Sequence, residues 1–280
     1  MIELPEACTI ARQMTAALPG KRIAEVTRGN SSHKFAFFNQ TQWEYAARLV
    51  GQTVGAGEGN GSYILLAAGS AGFLMFGNGG ERILLHLNER TLPKKYHFLI
   101  RFDGQSFLSI TVQGWGFAQL IRREDFPPEN YAGKNTVDPT RPQFTPEFFE
   151  SLFSELKPGD KLSVKFFMIS KPGVWGVGNG CLQDILFRAR LHPRHPAAAL
   201  TAAQRRGLYD SIRATLQQAV NLGGRDSEAD LYGCAGGYAR LLDSSKAGQP
   251  CIHCVSPIEK DQYLGGAVYF CPRCQVVPTN

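Results

Sequence analysis

Four cysteines near the carboxyl-terminal end constrain this chain more than any other feature. Cys251, Cys254, Cys271 and Cys274 are spaced C-x2-C-x16-C-x2-C. Each pair sits on a tight turn, Cys251-Ile252-His253-Cys254 and Cys271-Pro272-Arg273-Cys274, which lets two thiolates face one ion. The 16 residues between the pairs suffice for a hairpin turning through Gly265-Gly266, which brings all four sulfurs together tetrahedrally. Four thiolates leave no open position for water, so the expected cofactor is one structural Zn2+ and not a catalytic metal. His253 reads as a surface residue, and Cys8, Cys181 and Cys234 as packing residues in apolar or glycine-rich contexts.

Reduced thiols fit a cytoplasmic, nucleoid-associated setting. Met1 to Glu6 show no basic stretch leading into an apolar core, so no secretory signal is expected. No run of 18 apolar residues exists, which excludes a helical membrane span. The net charge of +6 favours an anionic partner without demanding one.

The rest of the chain reads as α+β. A helix is expected from residue 3 to about 18, with Pro5 in its first turn, Glu3 and Glu6 at the positive end of its dipole, and Gly20 ending it. From about 21 to 122 short apolar runs alternate with Gly, Asn and Asp, the texture of a β-sandwich or barrel-like sheet pair. Gly55 to Gly61 reads as a flexible, glycine-rich hairpin turn. Helices are then expected over 145–156, 160–169, 182–191 and 201–220. The domains follow: 1–122 for the amino-terminal helix and sandwich, a proline-bearing linker over 123–143, a helical domain over 144–245 and the cysteine hairpin over 246–280. A loose stretch at about 222–249 carries no readable code.

Lys171-Pro-Gly-Val-Trp-Gly-Val-Gly178-Asn179-Gly180 is a glycine-rich turn between two of these helices. It is either a plain interhelical turn or a place where amide N–H groups and Asn179 meet a phosphate. The run Gly176-Val177-Gly178-Asn179 and the following Asp184 to Pro193 resemble the helix–two-turns–helix of the formamidopyrimidine-DNA glycosylase/endonuclease VIII family. The opening Glu3-Leu4-Pro5-Glu6 is similar to that family's amino-terminal signature, and Tyr269 to Gln275 to its zinc-finger end.

The resemblance implies a β-sandwich domain and a helix-two-turns-helix domain flanking a DNA-binding cleft, closed by a zinc-ribbon hairpin. It implies a monomer binding double-stranded DNA that carries a damaged base or an abasic site. The family attacks the sugar through a proline amine freed by loss of Met1. Here that position is Ile2, whose bulk disfavours removal of Met1, so the free amine belongs to Met1. Glu3 matches the family's acid/base carboxylate, with Glu6 three residues on. The catalytic candidates are therefore Glu3, Glu6, Met1 and Ile2, and the DNA-binding candidates Lys171, Gly178, Asn179 and Trp115.

Beyond Ile2, three further places depart from the family pattern. Ser62 stands where a hairpin lysine is expected and Gly266 where the finger carries an arginine. Gly114-Trp115 stands in place of a void-filling Arg-Phe pair, and Trp115 could wedge into a base stack. The expected activity is excision of a flipped, damaged base, with the strand-nicking lyase step in doubt. The alternatives are a catalytically silent damaged-DNA-binding protein of the same fold and, more remotely, a zinc-ribbon protein of transcription.

Overall fold

The computed structural model describes residues 1–127, 135–157 and 159–277. Pro128 and the middle of the expected linker lie outside them. Two compact units form, the first from Met1–Glu129 with Ala219–Tyr238, the second from Asn130–Gln218 with Ala239–Asn280. The stretch 219–238, expected in the helical domain, therefore belongs with the amino-terminal unit.

The first unit opens with helix α1 (Leu4–Ala17), begun where Glu3 N–H donates to Glu6 Oε2 at 2.9 Å. Strands β1 (Ile23–Thr27) and β2 (Ala36–Phe38) follow, then helix α2 (Gln42–Leu49), which the sequence reading does not anticipate. Its start is chemically plain: Glu44 N–H donates to Thr41 Oγ1, and Thr41 N–H to the Glu44 carboxylate. Next come β3 (Val54–Asn60), β4 (Tyr63–Ala68), β5 (Phe73–Gly77), β6 (Glu81–His86), β7 (Phe98–Phe102), β8 (Phe107–Val112) and β9 (Gly116–Ile121). They form a four-stranded sheet ordered β1-β7-β8-β6 and a five-stranded sheet ordered β2-β9-β5-β4-β3. Both contribute to one core, in which Ile83, Ile100 and Ile110 of the first sheet meet Ile64, Leu74 and Phe76 of the second, with Ile10 and Met14 of α1. This is the expected sandwich.

The glycine run is a correction. Gly55 to Asn60 is not a flexible turn but most of β3, paired antiparallel with β4. Its glycines let α1 lie directly on the strand. A Cβ on Gly57 would stand 2.8 Å from the Ala11 carbonyl oxygen, and one on Gly59 3.0 Å from that of Ala7. Glycine here serves close approach, not freedom.

The second unit holds helices α3 (Pro146–Ser151), α4 (Val164–Ile169), α5 (Asn179–Arg188) and α6 (Ala202–Asn221), the last extending to the first residues of 219–238. The first two are shorter than periodicity suggests. Thr145 and Ser163 hydroxyls accept from the N–H groups of Phe148 and Phe166, fixing each start. Helix α5 begins at Asn179, three residues earlier than expected, with Gly178 as its cap. Phe149, Phe167, Leu182, Ile185, Ile212 and Leu216 form the core. Strands β10 (Glu259–Tyr263) and β11 (Gly266–Phe270) pair antiparallel as the expected hairpin. Among the described residues, no helix is long and apolar enough to cross a membrane.

Candidate functional site

Two places gather the residues singled out by sequence. In the first unit, α1 carries Glu3 and Glu6 at its amino-terminal turn, 1% and 3% exposed. Two carboxylates cannot be buried side by side without a cation. Arg225, 3% exposed, supplies it. Its Nη1 donates to Glu3 Oε1 at 2.9 Å, while Nε and Nη2 grip the two oxygens of Glu6 at 3.0 and 2.7 Å. Nη2 also reaches the Met1 carbonyl at 2.6 Å, and the Arg225 N–H donates to Glu6 Oε1 at 2.9 Å. Such forked, charge-assisted contacts fix geometry as well as charge.

Arg225 is held there by the chain around it. Leu231 accepts from Leu85 N–H of β6 at 2.9 Å and donates to Gln13 Oε1 of α1 at 2.9 Å, while Gln13 Nε2 donates to Asp230 at 2.8 Å. These bonds explain why 219–238 joins the first unit. No motif announces Arg225 in the sequence; the two carboxylates it grips lie more than 200 positions away.

Beside this cluster opens a cavity of about 400 Å3, lined among others by Met1, Ile2, Glu81, Arg82, Trp115 and Glu228. The Met1 ammonium pairs with Glu228 Oε2 at 2.8 Å. Ile2 is buried, and its peptide N–H donates to the Gly79 carbonyl at 2.8 Å. Trp115 is 40% exposed, following Gly114 at φ +77°. Ser62 is buried, its hydroxyl bonded to Asn78 Oδ1 at 2.8 Å, and it does not line the cavity.

Glu81 escaped the sequence reading. Burial pushes its carboxyl up to about 8, although the Phe117 N–H donating to Oε1 at 2.9 Å works the other way. One signal was available: Glu81 and Ile83 share the inward face of an alternating strand, an odd place for a carboxylate.

In the second unit the four cysteine sulfurs lie within 4.8 Å of one another, Cys254 and Cys271 3.3 Å apart, Cys251 and Cys274 3.9 Å. His253 N–H and Cys274 N–H point at the Cys251 and Cys271 sulfurs at 3.4 Å, contacts suited to thiolates. This donor set can hold one metal ion. The hairpin is fastened to the helical core by Asn179 Nδ2, donating to the Ala267 carbonyl at 3.0 Å, and by buried Lys165 Nζ, donating to the Tyr263 carbonyl at 2.7 Å. Gly266 sits against both: a Cβ there would lie 3.4 Å from Asn179 Nδ2 and 3.7 Å from Lys165 Nζ. Gly178 caps α5, and Lys171 is exposed. Asn179 thus holds the hairpin, a role the sequence does not disclose.

The fold is one that DNA glycosylases adopt. A Lactococcus lactis Fpg bound to DNA containing an abasic site matches with a TM-score of 0.84 at 23% identity, covering 98% of this chain and 99% of that one. A MutM structure in complex with DNA containing carbocyclic 8-oxo-G matches at 0.83 and 24% identity, with the same coverage. The formamidopyrimidine-DNA glycosylase N-terminal domain matches residues 1–113 and the family's H2TH domain residues 136–230. The chain belongs to the formamidopyrimidine-DNA glycosylase family. Relatives named formamidopyrimidine-DNA glycosylase include one from Lactococcus lactis subsp. lactis, 28% identical over 98% of this chain and 99% of its own. Another, from Salinispora arenicola, is 29% identical over 99% of this chain and 97% of its own.

Proposed function

We propose that this protein is a base-excision repair DNA glycosylase, acting as a monomer at the nucleoid on duplex DNA that carries a damaged base. It flips that base out of the stack and releases it by hydrolysis, leaving the abasic strand uncut. One observation carries the second half of this reading. Where the family has an amine nucleophile, Ile2 offers a buried peptide N–H already donating to Gly79. A peptide nitrogen cannot form the iminium on which strand cleavage depends. The Met1 ammonium is held by Glu228, which supports the same reading.

In this scheme Glu3 and Glu6, held by Arg225, fix a negative charge behind Met1 and Ile2, where positive charge develops at the sugar carbon. Trp115 fills the space left by the flipped base. The amide groups at Gly178 and Asn179, at the start of the ten-residue α5, and Lys171 take phosphates. Cys251, Cys254, Cys271 and Cys274 hold one structural Zn2+, which supplies no chemistry beyond clamping the hairpin.

The test is a panel of duplexes carrying oxidised pyrimidines, 8-oxoguanine, alkylated bases or an abasic site, treated with hot alkali and, separately, borohydride. Alkali-dependent cleavage without a trapped adduct is expected, and Glu3→Gln lowers excision at least ~10-fold. A borohydride-trapped adduct overturns the hydrolytic reading. Binding without any excised base overturns the enzymatic one and leaves a silent damage-binding protein.

A further inference from the structure

The cavity wall contains a carboxyl group for which the scheme above has no use. Glu81 is 6% exposed; among the described residues Oε1 accepts from the Phe117 N–H, and Oε2, shut off from solvent, has no hydrogen-bond partner. A buried polar atom left so costs on the order of 1–3 kcal/mol, which a structural role does not recover.

The surroundings are shaped to keep it there. A Cβ on Gly116 would lie 2.7 Å from Glu81 Cγ, and one on Gly79 2.9 Å from Oε2. Neither position could carry a side chain without displacing the carboxyl. Gly79 is also the residue whose carbonyl holds Ile2 N–H, so the unpartnered oxygen and the amino-terminal segment meet at one glycine.

We infer that Glu81 hands a proton to the base as its glycosidic bond breaks, a role that rests on the glycosylase reading above. The C1′–N bond breaks with its electron pair leaving on the base. The Glu81 proton neutralises that base, water adds to C1′, and the proton lost by the water returns to the Glu81 carboxylate. The sum is hydrolysis. A donor must hold its proton at working pH, and with its carboxyl raised to about 8 by burial Glu81 does so at neutrality. Charged and titratable groups face it from several sides. They are the Met1 ammonium, which favours the carboxylate, Tyr63 of β4, itself pushed up to about 12 by burial, and Arg82, Asp226 and Glu228 on the cavity wall.

The experiment measures single-turnover excision between pH 6 and 9.5 on a lesion that the wild type processes, alongside affinity for a duplex with a tetrahydrofuran abasic analogue. Wild-type excision should fall about tenfold per pH unit above about 8, as the donor is lost. Glu81→Gln should reduce excision at pH 7 at least ~100-fold, flatten the profile and bind the analogue within about threefold of wild type. If Glu81→Gln does not fold, the wild-type profile decides alone, and a rate that stays level or rises from pH 7 to 9.5 overturns the role. Excision retained by a folded Glu81→Gln overturns it too, while the glycosylase reading stands. A wild type that excises no base overturns both.

Discussion

The cysteine hairpin and the amino-terminal cavity are organised on opposite principles. In the hairpin every chemical group lies within 24 residues of the others, at spacings that tight turns impose, so Cys251, Cys254, Cys271 and Cys274 meet almost by local geometry alone. Around the cavity, the residue that holds Glu3 and Glu6 comes from position 225, and Glu81 from β6, the edge strand of the four-stranded sheet. One region is assembled by spacing and the other by folding. A change of one ligand should therefore stay local in the hairpin and spread in the cavity.

The largest expected effect tests the local half. Cys254→Ser or Cys271→Ala should take bound zinc from one per chain to near none, and melt β10 and β11. Small metal modules draw about 10–16 kcal/mol of apparent stability from the ion. Metal analysis and hairpin amide resonances are the readouts; signals of the sandwich strands should not move. Melting of the whole chain in step with metal loss would break the contrast.

Next comes Arg225→Ala. Two buried carboxylates then face each other without a cation, a loss of about 3–5 kcal/mol. Chemical denaturation at pH 7 measures it. Arg225→Lys should recover only part, as one ammonium cannot fork across both groups.

The smallest effect sharpens the comparison inside the cavity region. Gly59→Ala places a methyl 3.0 Å from the Ala7 carbonyl and must push α1 off β3, at a cost of about 1–3 kcal/mol. Excision should fall with it, because α1 carries Glu3. Unchanged kinetics with lowered stability would show that the helix start holds its position independently of its packing.

What could be read in advance follows the same division. The hairpin, the turn before α5 and the start of α1 were legible because turns, caps and metal ligands are encoded over a few residues. The β3 glycines were misread as flexible because their purpose, contact with Ala7 and Ala11, lies on another element. Helix α2 was missed because its eight residues are too few for periodicity to emerge and Trp43 faces solvent. Arg225 was invisible for want of any local pattern. Of the cavity wall, Met1, Ile2 and Trp115 are legible through the family resemblance, while Glu81 offers one weaker clue, a charge on an inward strand position.

The stretch bearing Arg225 closes on itself. The backbones of Gly224 and Gly236 touch so closely that a Cβ on Gly236 would stand 2.2 Å from the Gly224 carbonyl carbon. Between them the chain forms a closed loop, with Arg225 at its neck paired to Tyr238, and Tyr232 and Gly233 at the outer end. The outer end is held as well: the Tyr232 and Cys234 N–H groups donate to Asp230 Oδ1 at 2.9 and 2.8 Å. Gly233 and Ala235 border the cavity, so a change of sequence at this end alters the cavity wall while Arg225, Glu3 and Glu6 stay outside it.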